Sequence, residues 1–236
     1  MKKIQLVCAM AVKDAVGEID ITGEVVESGY EWDDTETSAS RFRDQMKTLG
    51  DVDKINVHIN SQGGSVFDGI AIYQMLVQSK SKVTIFIDGL AASIASVIAM
   101  AGDEVIIPKN AMLMVHNPWT YTMGNAKELR KQADDLDKIT ASMKQSYLAK
   151  AGDKLSDEKL VELLDAETWL SADEAVEYGL ADTIAPENRM AASIRIEEPG
   201  QFKNLPKNLM EQRKQPQEQP KEKSLLAKKL FILKGE

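Results

Sequence analysis

Two β-branched runs, each ending in small residues and then turning helical, restrict the folds open to this chain more than anything else in it. Ile55-Asn56-Val57-His58-Ile59-Asn60 alternates with the two-residue period of a strand and runs into Gly63-Gly64. Beyond it, Phe67, Ile70, Ala71, Tyr73, Gln74 and Met75 give a helical pattern. Val83 to Ile87 repeats the scheme: the strand leads through Asp88-Gly89-Leu90-Ala91-Ala92-Ser93 into a small-residue helix over 91–101, closed by Gly102. Strands alternating with crossover helices predict an α/β domain with a largely parallel sheet. The flanking sequence agrees. Glu18 to Val26 reads as a strand and turn, and 37–49 as a helix capped by Thr37 or Ser38. Val105–Ile107 and Met112–Val115 read as short strands. A long helix follows over 126–151, with Leu129, Ala133, Leu136, Ile139, Met143 and Tyr147 along one side and Gly152 as its stop. Ser171 and Glu174 have the spacing of a capping box, opening a last short helix that Gly179 closes.

Composition narrows the classes. At 236 residues, 43% of them hydrophobic, the chain has enough apolar surface for a substantial core. Cys8 is the single cysteine, so neither an intramolecular disulfide nor a thiolate zinc cluster is available, and a reducing, cytoplasmic setting is expected. The net charge of −8 divides into −12 over 1–185 and +4 over 186–236. An acidic body argues against nucleic-acid binding, which needs clustered Lys and Arg. The longest uncharged apolar stretch, 89–102, is too short to cross a bilayer, so no membrane association is expected. Residues 1–11 have the outline of a minimal signal peptide, but Gln5 breaks the apolar run; a first strand of the domain is the better reading. Five of the seven prolines and a Gln/Lys/Glu-rich run fall in 186–236, which reads as a flexible tail, with a short amphipathic segment over 225–233. The predicted organisation is a domain over 1–185 followed by that tail.

The two glycine-bearing turns present backbone N–H groups at helix starts, where negative charge is stabilised, whether of a phosphate or of a developing oxyanion. Ser93 is placed as an exposed nucleophile would be, on a strand-to-helix turn among residues without bulk. The spacing Gly89-x-x-x-Ser93 is not the Gly-x-Ser-x-Gly elbow, and Ser93 and Ser96 also suit close helix packing. Two histidines compete as the base. His58 lies inside its strand and reads as a sheet-face residue. His116 ends the strand 112–115, at the edge where α/β sheets carry their sites, and is expected to take the Ser93 proton. A carboxylate should orient it, and Asp165 and Glu167 stand out beside Trp169.

Four ordered segments then carry a family resemblance over roughly 15–185. They are the Asn60–Gly64 turn, Gly89–Ser93, Met114-Val115-His116-Asn117-Pro118, and the run from Trp169 to Asp182. The chain resembles the ClpP-type serine peptidases, the proteolytic subunit of the Clp protease. Its Gln62–Gly69, Asp88–Ser93 and Glu167–Leu170 runs are most similar to the phage and prophage ClpP-like prohead (head maturation) proteases. The resemblance implies a spiral fold shared with the crotonases, with 126–151 as a handle helix. It also implies an acyl-enzyme on Ser93, His116 as general base, and an oxyanion hole from the N–H groups of Gly64 and Ile94. Where cellular members have aspartate, the ungapped match puts Glu167, with Asp165 as rival. It further implies no cofactor, a heptameric ring or stacked double ring, and protein substrates, capsid or scaffold proteins among them.

Other readings remain at this point. A crotonase-like acyl-CoA enzyme would use the same turns without needing a Ser93–His116 pair. A Ser/Lys signal-peptide-peptidase-like protease would call for a membrane segment. A capsid scaffold protein with an inactive protease domain would make the tail the working part.

Overall fold

The computed structural model describes residues 12–13, 16–33, 35–186 and 202–206. The expected first strand over 1–11 and the amphipathic segment over 225–233 lie outside them. In chain order the elements are β1 (Val12–Lys13), β2 (Val16–Val25), α1 (Ala39–Leu49), β3 (Lys54–Gly64), α2 (Val66–Val77), β4 (Lys82–Ala92) and α3 (Ile94–Ala99). There follow β5 (Glu104–Pro108), β6 (Met112–Val115), α4 (Ala126–Ala151), α5 (Asp157–Asp165), β7 (Thr168–Ser171), α6 (Ala172–Glu177) and β8 (Thr183–Ala185). Three of the helix starts are capped as their sequences ask: Ser38 accepts from the Arg41 N–H, and Asn125 and Ser171 form full capping boxes with Glu128 and Glu174.

The strands form one sheet in the order β1-β2-β3-β4-β5-β8, with β6 and β7 branching from β4. The ladders β2–β3, β3–β4, β4–β5, β4–β6 and β5–β8 are parallel. Ile19, Ile21, Val57, Ile59, Ile85 and Ile87 are wholly buried on the alternate positions of the three central strands, against which Phe42, Ile72 and Leu76 of the helices pack. β4 is the branch point. Its first half, Thr84–Phe86, pairs with β5, and its second half, Leu90–Ala92, pairs with β6. This splits the sheet at Asp88-Gly89 and leaves the ends of β4 and β6 side by side.

The α/β architecture and its parallel sheet are as the sequence predicts, and three boundaries differ. Both glycine-bearing segments expected as turns continue their strands, since ladder pairing uses backbone alone: Gly64 pairs with Val25, and Leu90 with Met112. The helix expected over 91–101 is shortened to Ile94–Ala99, because Ser93 has φ +55 and cannot belong to it. Besides the two-residue β1, two strands escape the sequence reading. β7 (Thr168-Trp169-Leu170-Ser171) and β8 (Thr183-Ile184-Ala185) are as short as β6 but lack the unbroken apolar run that marks it.

Candidate active site

Strand pairing assembles the site. Ala92 lies opposite Met114 in the β4–β6 ladder, and the Ser93 N–H donates to the Met114 carbonyl at 3.0 Å, so the residues following each strand emerge together. On the far side of β6, Val115 lies opposite Thr168 of β7 in antiparallel register. Each strand therefore delivers its next residue to one place: Ser93 from β4, His116 from β6 and Glu167 from the residue before β7.

The backbone at two of these three positions is strained. Ser93 and Glu167 are the two non-glycine residues with positive φ among the described residues, at +55° and +49°. Such conformations cost about 1–3 kcal/mol each and persist only where surrounding structure holds them. At Ser93 the turn is held from behind by Gly63, whose φ is +95°. A Cβ at Gly63 would lie 2.7 Å from the Ala92 carbonyl oxygen, 2.7 Å from Ser93 Cβ and 3.1 Å from the Ile94 nitrogen. The end of β3 thus touches the Ser93 turn with backbone alone, and no larger residue fits between them.

Ser93 Oγ lies 2.8 Å from His116 Nε2. When the hydroxyl donates, Nε2 must carry the lone pair and the imidazole proton sits on Nδ1. His116 is buried, at 6% exposure, with Phe202 packed at a tilt 6.2 Å away between ring centres. Burial pulls its pKa below the ordinary histidine value; the Glu167 carboxylate pushes it back up, and the Lys203 ammonium adds to the depression. The imidazole is therefore held neutral, in the form that accepts a proton.

The two carboxylates sit in different surroundings. Glu167 is buried, and its oxygens accept from the backbone N–H groups of Lys203 at 3.0 Å and Asn204 at 2.7 Å. Asn204 Nδ2 also donates to the Ala166 carbonyl, and Phe202 stacks edge-on against Trp169, so residues 202–204 lie clamped against the loop that carries Glu167. Asp165 is exposed and accepts from Asn117 Nδ2 at 2.7 Å, next in the chain to His116. Glu167 acts on His116 through its charge, and Asp165 holds the neighbouring side chain. Phe202, Lys203 and Asn204 belong to the segment that sequence reading assigns to the tail. Nothing in a Pro- and Gln-rich stretch marks three of its residues as partners of a loop 36 positions earlier.

His58 stands apart from this group on the open face of β3. Its Nδ1 is 3.0 Å from Asp88 Oδ2, its Nε2 is 3.6 Å from Glu18, and its ring stacks on Phe86. Its hydrogen bond to Asp88 holds its pKa above the ordinary value, and it is a sheet-face residue as the sequence predicts. Among the described residues no cluster of His, Cys, Asp and Glu could hold a metal ion, and no helix is long and apolar enough to cross a membrane.

Comparison with known proteins points in one direction. A family profile described as Clp protease matches residues 28–188. The ATP-dependent Clp protease proteolytic subunit of Chlorella vulgaris is 35% identical over 140 residues, covering 58% of this chain and 68% of that protein. The ATP-dependent Clp protease proteolytic subunit 1 of Salinibacter ruber is 30% identical over 159 residues, covering 66% and 67%.

Proposed function

This chain belongs to the Clp protease family of serine-type endopeptidases, and on that premise we propose that it cleaves peptide bonds through an acyl-enzyme on Ser93. The observation that carries the assignment is the 2.8 Å contact between Ser93 Oγ and His116 Nε2 at a strained turn. His116 takes the hydroxyl proton as Oγ bonds to the scissile carbonyl carbon, and the carbonyl oxygen becomes an oxyanion. The N–H groups of Gly64 and Ile94 are its donors. The imidazolium gives that proton to the departing amine as the C–N bond breaks, and water then releases the acyl group by the same steps in reverse order. Glu167 is the third member, holding the imidazolium by charge while the 203–204 amides fix its carboxylate.

The test is labelling of purified protein with a fluorophosphonate, with the modified residue located by peptide mass spectrometry. Label on Ser93 is the expected result. Turnover of acyl-CoA thioesters without labelling would favour a crotonase-like reaction instead.

The pH profile tests the electrostatics. Activity requires neutral His116, so it falls as pH drops through the pKa of that residue. With that pKa depressed, the acid limb should lie below the ordinary histidine value of about 6.5. Removing the Glu167 charge removes an influence that raises the pKa, so Glu167→Gln should move the limb to still lower pH, with kcat down by orders of magnitude. Phe202→Ala admits water to the imidazole and should move the limb upward. Asp165→Asn should leave it in place. A limb that moves with Asp165 and not with Glu167 would transfer the role.

The finer reading is a ring-forming protease of phage prohead maturation, with capsid or scaffold proteins as substrates and a domain over 1–185 that borrows residues 202–204 from the basic tail to hold Glu167. The sequence runs Gln62–Gly69, Asp88–Ser93 and Glu167–Leu170 support the phage branch. Ring formation is supported by apolar residues left open around the start of α4: Leu129 is 44% exposed, Tyr121 89% and Met123 98%. Light scattering should then give a mass several times the 26.1 kDa of one chain. A monomer that cleaves peptides would contradict it.

A further inference from the structure

The interior side of the Ser93 turn carries a buried polar chain that the proposed catalytic steps do not use. Ser96 Oγ lies 2.6 Å from the Ser93 carbonyl oxygen and 2.7 Å from the Tyr147 hydroxyl, and both side chains are buried, Tyr147 completely. Ser96 has one hydroxyl proton. It donates that proton to the Ser93 carbonyl, which has none to give, so the Tyr147 hydroxyl must donate to Ser96 Oγ. The direction is fixed throughout: Tyr147 to Ser96 to the carbonyl of Ser93. The same carbonyl accepts the Ser96 backbone N–H at 3.0 Å. Burial raises the Tyr147 pKa far above its usual value, which keeps the phenol a donor.

The Ser93 carbonyl and the Ile94 N–H belong to one planar peptide unit and point in opposite directions. Ser93, at φ +55° and ψ −129°, lies outside the basins that would set this plane by local preference. The plane is instead held at its carbonyl end. We infer that the Ser96 and Tyr147 hydroxyls are positioning groups which, by anchoring the Ser93 carbonyl, aim the Ile94 N–H at the oxyanion. The inference rests on the proposed role of Ser93 and deepens it. It also links the long helix α4, which carries Tyr147, to the reacting centre. Sequence reading offers only close packing for Ser96, since nothing in the chain places it against a residue 51 positions away.

A donor aimed at the oxyanion acts in the transition state, so its loss should appear in the rate of bond formation and not in reagent binding. The full-length protein, Ser96→Ala, Tyr147→Phe and the double variant are compared by fluorophosphonate inactivation, resolved into the maximal rate kinact and the binding constant KI. Ser96→Ala should lower kinact roughly tenfold, a fraction of the ~10²–10³ lost with a whole oxyanion donor, with KI and final label stoichiometry unchanged. Tyr147→Phe, which keeps the packing, should lower it about threefold by weakening the Ser96 donor. Stability should follow a different order. Ser96→Ala leaves the buried phenol without an acceptor and lowers Tm, whereas the double variant removes both groups and recovers part of that loss. Its kinact stays at the Ser96→Ala level, because Tyr147 acts only through Ser96.

A kinact in Ser96→Ala within twofold of wild type overturns the inference. So does a kinact that recovers together with Tm in the double variant, or a loss seen as fewer labelled sites reacting at the wild-type rate. Failure of the wild type to take label on Ser93 instead overturns the reading beneath it, and the positioning role with it.

Discussion

Ser93→Ala is expected to abolish fluorophosphonate labelling and to lower peptide hydrolysis by at least about 10⁴-fold, with His116→Ala reducing it to a comparable floor. The two losses should not multiply in the double variant, because the hydroxyl and the imidazole 2.8 Å from it act as one unit. Alanine is the right probe of the hydroxyl. It retains the Cβ, so the strain of φ +55° stays and only the nucleophilic oxygen is lost. Glycine at the same position separates strain from chemistry. Ser93→Gly should be equally inactive yet more stable than Ser93→Ala by about 1 kcal/mol, since glycine enters this region without a steric penalty. Urea unfolding of the two variants measures the difference. Persistent hydrolysis in Ser93→Ala, by the same protein that loses its labelling, would mean that another residue carries the reaction.

The strain at Ser93 was invisible to sequence reasoning, although the residue itself was not. A serine between a β-branched run and a small-residue helix is legible because exposing a nucleophile excludes bulk around it. His116 is legible because a strand end followed by Asn117-Pro118 cannot continue the ladder. What joins them is the split of the sheet within β4, and nothing local marks a strand that changes neighbours halfway along. Glu167 shows the same limit more sharply. Its place beside His116 follows from the four-residue β7 pairing with β6 in one particular register, Val115 to Thr168, and the sequence reading leaves that stretch without a strand. The residues around Trp169 offer both Asp165 and Glu167, and only the resemblance to a family favours Glu167. The 202–204 clamp on its carboxylate lay beyond both, as backbone N–H groups are the same in every residue but proline and leave no trace in side-chain pattern.

Gly63→Ala should damage both rate and fold, with labelling slowed about 10³-fold and stability lowered by roughly 2–4 kcal/mol. Two costs combine there. At φ +95° any L side chain is strained, and the new methyl would also press on the Ala92 carbonyl, Ser93 Cβ and the Ile94 nitrogen. Relieving that contact must move either the nucleophile or the N–H proposed to receive the oxyanion, so the rate should fall even in molecules that remain folded. Gly29 isolates the first cost. Its φ is +94°, and a Cβ there would meet nothing within 4 Å. Gly29→Ala should therefore lose about 1 kcal/mol of stability with labelling unchanged. Comparing the two variants by urea unfolding and by kinact subtracts backbone strain and leaves the contact. If Gly63→Ala labels as fast as Gly29→Ala, the end of β3 has no part in holding Ser93 and Ile94, and an oxyanion hole built between these two strands fails with it.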